Sequence, residues 1–370
     1  MSEARIEARG VAKRFGSTIA VFPTDLAVGE GEFVVILGPS GCGKTTTLRM
    51  LAGLERPTQG GVFMSGRDVT LERPGARDVA CVFQMFSLYP HLSVEENVAF
   101  PLYAQGLPAP EAERRATDIL RRLGLQDLAK AMPRRLSGGD RQIAGLARAL
   151  VRTPQAFLMD EPLGSLDAGL RESLRETLRA IHNQAGSTTV LVTHDQAEAM
   201  ALADRIVVMR DGRVLQIDHP RVVYDFPADL FVADFVGSPG MNILKGRRRG
   251  GAVGLAGLGL QAYLGEEGVP GDAASEDKDC YLGVRPENVL LTETGAPCVV
   301  EHMEILGSHN LLAMRAGPEF LKAWVPAGVR FQEGETVRVT FLPSGCRWFD
   351  GETGRALPWK ASEVACLPTW

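Results

Sequence analysis

The sequence predicts an α/β domain followed by a smaller all-β domain. The chain has 370 residues, whereas an average domain has roughly 100–200 residues. An apolar run at residues 33–37 precedes a glycine-rich loop and a helical pattern, and this strand, loop and helix order is typical of an α/β fold. Beyond about residue 235, short strand-like segments and turns replace the helical patterns.

The bulk composition excludes several classes of protein. A hydrophobic content of 45% and a net charge of −5 are ordinary for a globular chain and give no overall positive field for nucleic acid. With no run of about 18 apolar residues and no apolar N-terminal segment, we expect no membrane span, so work at a membrane would require docking on another protein. Six cysteines without C-x-x-C spacing predict a reducing, cytosolic setting rather than zinc or disulfides.

The loop at residues 38–45 reads GPSGCGKT and matches the phosphate-binding pattern G-x-x-x-x-G-K-[ST] in its required context. Glycines allow backbone N–H groups to point inward, and the following helix adds the positive end of its dipole. We predict that Lys44 reaches the β- and γ-phosphates and that Thr45 holds Mg²⁺. A glycine-rich turn without a ligand is the alternative. The expected nucleotide-binding residues are Gly38, Ser40, Gly41, Cys42, Gly43, Lys44, Thr45 and Thr46.

Edge strands and a helical insertion are expected around this loop. Residues 6–28 alternate as edge strands would, and Phe15 there is either a core residue or a stacking partner for adenine. Gln84 follows a predicted strand at residues 79–83, and an apolar, aromatic loop comes after it. Such a loop is either covered by the fold or offered to a partner helix. A helical pattern covers residues 110–125.

A second glycine-containing turn reads LSGGD at residues 136–140, before an apolar helix predicted at residues 143–151. Ser137 is a natural N-cap. Gly138 and Gly139 leave backbone N–H groups open, so the turn is either a second anion site or an ordinary capped helix.

Two carboxylates and a histidine end further predicted strands. Asp160 and Glu161 follow the strand at residues 156–159, and we expect Asp160 in the Mg²⁺ shell and Glu161 as general base for the attacking water. Acidic pairs at strand ends are also common helix caps. His194 ends the strand at residues 189–193 and could hydrogen-bond the γ-phosphate, although a single histidine is usually a satisfied surface or core residue.

In this order the motifs resemble those of the ATPase subunits of ABC transporters, above all the sugar-importer branch typified by the bacterial maltose transporter. GPSGCGKTT resembles the Walker A motif, VFQ the Q-loop, LSGGD the signature, FLMDEP the Walker B motif, SLD the D-loop and THD the H-loop. The resemblance covers nearly the whole chain. It implies a P-loop NTPase domain at residues 1–235, with a RecA-like core, an antiparallel β subdomain and a helical subdomain at about 90–155. PGMNIL and GVRPENV are similar to segments of the family's OB-type regulatory and dimerisation domain, expected at residues 236–370.

The resemblance also implies roles for single residues and for partners. Phe15 would stack on adenine, Gln84 would sense Mg²⁺ and the permease, and His194 would position the γ-phosphate and water beside the base Glu161. Residues 84–92 would receive a coupling helix from one of two membrane permease subunits. The implied ligands are ATP and Mg²⁺, and the expected metal ligands are Thr45, Gln84 and Asp160.

With this resemblance, we expect two such ATPases to meet head to tail, so that the signature residues Ser137, Gly138 and Gly139 complete the ATP site of a second subunit. That subunit would be an identical chain or a related ATPase. The implied location is the cytoplasmic face of a bacterial inner membrane, in a complex with a solute-binding protein and no nucleic acid. The transported solute would be a sugar, a polyol or a glycerol phosphate derivative.

Three residues depart from the family pattern, and the negative charge that one of them, Asp140, adds near a bound nucleotide predicts a weaker signature site. Asp140 stands where the family usually has glutamine, Ile143 where it has arginine, and Gly164 where the D-loop has serine. One alternative function is a soluble ABC-type ATPase acting on ribosomes or DNA, although the chain lacks a second nucleotide domain and a coiled-coil insertion. Another is a regulatory subunit with a degenerate site.

Three segments at the start of the all-β domain carry further expectations. Residues 247–249 form a basic run that is expected to be a solvated linker, and residues 250–260 are glycine-rich. Residues 265–279 are acidic and are expected to be mobile.

Overall fold

The structure is a computed structural model that describes residues 4–83, 88–164, 166–264 and 277–366. The chain divides into two compact units, Met1–Pro220 and Arg221–Trp370. The division lies before residue 235 because residues 224–236 bond to the second unit: the Arg285 guanidinium donates to the carbonyls of Tyr224 at 2.7 Å, Ala233 at 3.2 Å and Val236. The functional boundary at residues 235 and 236 stays a prediction.

The first unit combines two sheets with six α-helices in the part of the chain that the structure describes. Its strands are β1 (Ala4–Phe15), β2 (Thr18–Gly29), β3 (Phe33–Leu37), β4 (Gln59–Met64), β5 (Arg67–Asp68), β6 (Val79–Val82), β7 (Ala156–Asp160), β8 (Thr188–Thr193), β9 (Arg205–Arg210) and β10 (Arg213–Asp218). Its helices are α1 (Lys44–Ala52), α2 (Val94–Ala104), α3 (Ala109–Arg122), α4 (Gly138–Leu150), α5 (Ala168–Ala185) and α6 (Gln196–Leu202).

The central sheet has the strand order β10-β9-β3-β8-β7-β6 and is parallel except at its β10 edge. Every residue of β3, β7 and β8 is buried, as expected for parallel strands that are covered on both faces. The carboxyl ends of these parallel strands lie at one edge of the sheet. This edge therefore receives the glycine-rich loop after β3, the two carboxylates at the end of β7 and the histidine after β8.

A separate antiparallel sheet of order β2-β1-β4-β5 and a helical layer complete this unit. Helix α3 buries the apolar face that its sequence pattern predicts, including Ala112, Ala116, Ile119 and Leu120. Helix α4 begins at Gly138 rather than near Ile143. The side chain of the N-cap Ser137 accepts the Asp140 N–H, so the first helical turn includes both glycines. Among the described residues, no helix combines the length and hydropathy that crossing a bilayer requires.

The second unit consists mainly of antiparallel strands, as the sequence predicts. Short helices α7 (Pro220–Asp225) and α8 (Leu230–Phe235) precede them. The strands are β11 (Asn242–Arg249), β12 (Ala252–Leu255), β13 (Leu260–Leu264), β14 (Lys278–Val284), β15 (Val289–Ile305), β16 (His309–Ala316), β17 (Glu319–Pro326), β18 (Thr336–Phe341), β19 (Cys346–Asp350), β20 (Ala356–Leu357) and β21 (Ala361–Cys366). They form sheets of order β20-β19-β14-β11-β12-β13-β21 and β17-β16-β15-β18, and side chains from both sheets build one core.

The expectation of a solvated linker at residues 247–249 is wrong. These residues end β11, where strand alternation turns Arg248 toward the core, so that it is only 2% exposed. Its Nε donates to the Gly250 carbonyl at 3.0 Å, and its guanidinium lies 4.8 Å from the centre of the Trp359 ring. The glycine-rich stretch also contains strand β12 and the first residue of β13. Of the acidic segment, residues 265–276 lie outside the described residues and residues 278 and 279 begin β14.

Candidate functional site

The backbone conformation of the loop between β3 and α1 requires glycine at two positions. Gly43 is the N-cap of α1 with φ of 100°, and a Cβ atom there would lie 2.6 Å from the Ala20 carbonyl oxygen. A Cβ atom at Gly38 would lie 2.2 Å from the Met209 carbonyl oxygen. Helix α1 has neither a side-chain cap nor an acidic residue in its first turn. Its positive end is therefore available to an anion.

Lys44 is buried beneath this loop, with 5% of its surface exposed. Its ammonium group donates to the carbonyl oxygens of Gly38 and Pro39, each at 2.8 Å. No carboxylate forms an ion pair with it among the residues that the structure describes. A buried cation held by neutral carbonyl groups attracts an anionic ligand more strongly than one that is already paired with a carboxylate.

A carboxylate and a hydroxyl group lie together beside the loop. Asp160 ends β7 and is 5% exposed, and the Thr45 hydroxyl donates to its Oδ1 at 3.0 Å. Burial raises the pKa of the Asp160 carboxyl group, because a buried carboxylate loses its hydration. A cation would compensate this loss. Carboxylate and hydroxyl oxygens are hard donors of the kind that Mg²⁺ prefers, so the two residues fit such an ion.

Glu161 and His194 meet at the same edge of the sheet, although they are far apart in sequence. The Glu161 N–H donates to the Val192 carbonyl at 2.9 Å, and its backbone has φ of 47°, an unusual conformation for a residue other than glycine. His194 Nδ1 lies 2.9 Å from Glu161 Oε1. The Glu161 side chain is 19% exposed and that of His194 is 55% exposed. The two side chains thus form a hydrogen-bonded pair that solvent reaches.

In the signature turn, residues 136–140, Ser137 is hydrogen-bonded to the carboxylate of Asp140. Ser137 Oγ accepts the Asp140 N–H at 3.0 Å and donates its proton to Asp140 Oδ2 at 2.7 Å. The Ser137 N–H also donates to Asp140 Oδ2, at 3.3 Å. A serine hydroxyl has one proton to donate. In this conformation, therefore, the Ser137 proton is committed to Asp140.

Of the other predicted residues, four lie in the phosphate loop and α1, one ends β1, and some lie outside the described part of the chain. Ser40 and Gly41 are exposed in the phosphate loop, Thr46 is half-buried in α1, and Cys42 is buried. Phe15 is 49% exposed at the end of β1, with the Lys13 ammonium 4.8 Å from its ring centre, so it is not a core residue. Gln84, with residues 85–87, lies outside the described residues, as does Ser165 of the predicted D-loop.

Two buried amides contribute contacts that sequence reasoning did not assign. Gln142, which is 2% exposed in α4, donates through Nε2 to the Pro162 carbonyl at 2.6 Å and so joins the signature helix to the turn after Glu161. Asn97 is fully buried in α2. Its Oδ1 accepts the Tyr89 N–H at 2.7 Å, and its Nδ2 donates to the Leu92 carbonyl at 3.0 Å. In both helices, the available sequence signal was an amide that follows two charged residues and precedes an apolar pair.

The turn that Asn97 holds displays aromatic side chains. The Tyr89 ring lies 4.7 Å from the Phe100 ring, centre to centre, and the Arg148 guanidinium lies 5.4 Å from the Tyr89 ring centre. Tyr89 is 38% exposed and Phe100 is 40% exposed. Tyr103 of the same helix is 37% exposed. These three residues form an aromatic surface beside the segment that the sequence predicts to face a partner.

Models of three families match the chain, one in the α/β unit and two in the all-β unit that follows it. The ABC transporter family matches residues 21–164, the MalK OB fold domain residues 237–289, and the TOBE domain residues 282–349. The trehalose/maltose import ATP-binding protein MalK of Thermococcus litoralis is 42% identical over 90% of this chain and 93% of its own. The sn-glycerol-3-phosphate import ATP-binding protein UgpC 2 of Agrobacterium fabrum is 41% identical over 91% and 90%.

Solved structures agree with this assignment for the first unit. The dimeric ABC transporter cassette MJ0796 has a TM-score of 0.55 and 33% identity, covering 58% of this chain and 99% of its own. A post-hydrolysis state of the same cassette, bound to ADP and phosphate, has a TM-score of 0.54. The fold, the order of the motifs and the extent of these matches lead to one assignment: the chain belongs to the ATP-binding subunits of ABC transporters, the ATPases whose hydrolysis of ATP drives import.

Proposed function

We propose that this chain is the ATPase subunit of a bacterial importer for a small polar solute, and that its ATP sites form between two subunits. One observation carries the proposal: Lys44, Thr45, Asp160 and the Glu161–His194 pair all lie at or just after the carboxyl ends of strands of one sheet. The signature turn of a second subunit supplies the other side of each site. Two sites then follow from the symmetry of the pair.

Different residues of this chain have different roles in ATP hydrolysis. The phosphate loop and Lys44 bind the β- and γ-phosphates, and the exposed ring of Phe15 stacks on the adenine. An attacking water forms a bond to the γ-phosphorus while the bond to the ADP oxygen breaks, and the water's proton passes to the Glu161 carboxylate. His194 holds that carboxylate through its 2.9 Å hydrogen bond and lies ready to contact the γ-phosphate.

Mg²⁺ is the metal that the donor set favours. Thr45, Asp160 and the predicted ligand Gln84 would hold it, and the ion would neutralise charge on the β- and γ-phosphates. The raised pKa of Asp160 is consistent with a carboxylate that needs a cation nearby.

The aromatic surface of Tyr89, Phe100 and Tyr103 supports the prediction of permease docking at residues 84–92. Exposed aromatic side chains around an ordered turn are suited to receive the apolar face of a short helix. Docking there places the chain at the cytoplasmic face of the membrane, as a peripheral subunit. The relatives that are named for import of trehalose/maltose, of sn-glycerol-3-phosphate and of osmoprotective compounds support a sugar, a polyol or a glycerol phosphate derivative as the solute. Isolation of the intact complex and identification of the ligand of its binding protein would show which.

The substitution Glu161→Gln tests the proposed base. The amide keeps the size of the side chain but cannot accept the proton, so we expect ATP turnover to fall by about 10²–10⁴-fold. Binding should persist, so the variant should carry ATP through gel filtration as a stable pair of subunits. Phosphate release and retained radiolabelled ATP measure the two effects. Turnover at the parent rate would show that Glu161 is not the base.

A further inference from the structure

The predicted base and its histidine lie on two adjacent turns. Glu161 begins the turn after β7, which ends at Asp167, the N-cap of α5. His194 begins the turn after β8, which ends at Asp195, the N-cap of α6. Since β7 and β8 are neighbours in the sheet, the two turns lie side by side. The Glu161 and His194 side chains are both partly exposed, so packing alone does not fix their separation.

Arg171 joins these two turns. Its Nη1 donates to Asp195 Oδ2 at 3.0 Å, and its Nη2 donates to the Leu166 carbonyl oxygen at 2.9 Å. Its own N–H donates to the Asp167 carbonyl at 2.9 Å, which fixes the arginine in the first turn of α5. The guanidinium group is planar and rigid, so the two acceptors must keep a fixed relative position to satisfy both donors. A shift of one turn is therefore transmitted to the other.

Stability alone does not explain an arginine at this place. Its Nε is buried and has no acceptor among the described residues. A buried donor without an acceptor lowers the free energy of unfolding. Nε therefore stays without an acceptor, while Nη1 and Nη2 each reach one of the two turns.

We propose that Arg171 is a positioning residue for ATP hydrolysis, which keeps Glu161 and His194 at hydrogen-bonding distance by joining the turns that carry them. The inference rests on the proposed function, because it concerns the same base and the same histidine. Arg171 acts through its bonds to Asp195 and to the Leu166 carbonyl, without contacting the nucleotide or the attacking water.

The same helix contains a matched control. Arg179 of α5 also donates to one backbone carbonyl and one carboxylate, at 2.8 Å to Leu202 and at 2.6 Å to Asp204 Oδ1. The Arg171 and Arg179 side chains are 29% and 32% exposed. Arg171 meets the start of α6, next to His194, whereas Arg179 meets its end. The two arginines thus make equivalent contacts at different distances from the site.

The experiment compares Arg171→Gln with Arg179→Gln in the full chain. Both variants should lose thermal stability, because each loses an ion pair and a bond to a carbonyl oxygen. Only Arg171→Gln should lower kcat, by about tenfold, since small misplacements of a base are costly. The KM for ATP should not change. In histidine-selective NMR spectra without nucleotide, the His194 signal should move in Arg171→Gln and stay in Arg179→Gln.

Lysine variants keep the test decisive if a glutamine variant does not fold. Lysine retains the ion pair but cannot donate to both acceptors in the geometry of the fork. Both lysine variants should therefore regain part of the stability that the glutamine variants lose. The kcat of Arg171→Lys should stay low, whereas the kcat of Arg179→Lys should match that of the parent. Equal kcat in the two variants of either matched pair, or a His194 signal that moves equally in both, would overturn the inference.

Failure of the proposed function would look different. A parent chain that does not hydrolyse ATP, or a Glu161→Gln variant with the parent rate, would refute the proposed function. If the parent hydrolyses ATP and Glu161→Gln does not, equal behaviour of the Arg171 and Arg179 variants would refute only the positioning role.

Discussion

The phosphate loop and the signature turn are both glycine-containing turns that precede a helix. They differ in that the first helix has no side-chain cap at its N-terminus, whereas the second has one. Helix α1 starts at Gly43 with no side-chain cap and no acidic residue in its first turn. Helix α4 has Ser137 as its N-cap in a complete capping box, in which the side chains of Ser137 and Asp140 each accept the other residue's backbone N–H. The first turn is prepared for an external anion, whereas the second has bound a carboxylate of its own. A glycine pattern alone does not distinguish these two states.

Substitution of one glycine in each turn sharpens this comparison and should have the largest effect. Gly43→Ala would place a Cβ atom 2.6 Å from the Ala20 carbonyl oxygen at φ of 100°. We expect a loss of roughly 1–3 kcal/mol in the free energy of unfolding, together with loss of ATP binding. Gly138→Ala is the matched control, since its Cβ atom would meet nothing within 4 Å.

Thermal unfolding and equilibrium binding of a fluorescent ATP analogue measure these effects. The Gly138→Ala chain should unfold near the parent temperature. At concentrations where the chains do not pair, its intact phosphate loop should bind the analogue as the parent's does. Equal losses in the two variants would contradict the view that only the phosphate loop depends on the conformational freedom of glycine.

A smaller effect is expected for Asp140→Gln, which tests whether the carboxylate weakens the signature side. The change removes a negative charge near the nucleotide of the second subunit and frees the Ser137 proton, which Asp140 now accepts at 2.7 Å. Turnover should rise by about three- to tenfold, equivalent to about 1 kcal/mol of repulsion between charges near the surface. The helix should lose a little stability, because aspartate interacts favourably with its dipole.

The measurement compares the ATPase rates of the parent and Asp140→Gln chains, each assembled with its permease. A rate that does not change would remove the idea that Asp140 weakens the site. A rise would support a natural pair in which this signature faces a different ATPase.

Sequence reasoning could predict the parts of the site that depend on local order along the chain. The loop between β3 and α1 and the polar residues after β7 and β8 follow from buried apolar runs and the residues that end them. The φ of 47° at Glu161 could not be predicted, because glutamate is not a residue type that favours the left-handed backbone region. Arg171 and Gln142 were missed because their partners are defined only once the strand order is known.

The burial of Arg248 could not be predicted from the local composition of the chain. Three consecutive arginines indicate a solvated segment, but the alternation of a strand places the middle one in the core, while Arg247 and Arg249 pair with Asp277 at 3.3 and 3.4 Å. The burial of a charged residue depends on which elements surround it, and the sequence around residue 248 does not identify them.

The central claim is that one chain supplies only half of an ATP site, and a mixed pair of subunits tests it most directly. In a Glu161→Gln background, Lys44→Ala removes the phosphate side and Ser137→Arg blocks the signature side. Each variant alone then has two incomplete sites. Co-expression with different tags and purification through both tags yields a mixed pair with one intact composite site.

Radiolabelled ATP that remains bound through gel filtration is the measurement. We predict that neither variant alone retains ATP and that the mixed pair retains about one ATP for two chains. Retention by the Ser137→Arg chain alone, or no retention by the mixed pair, would contradict the claim.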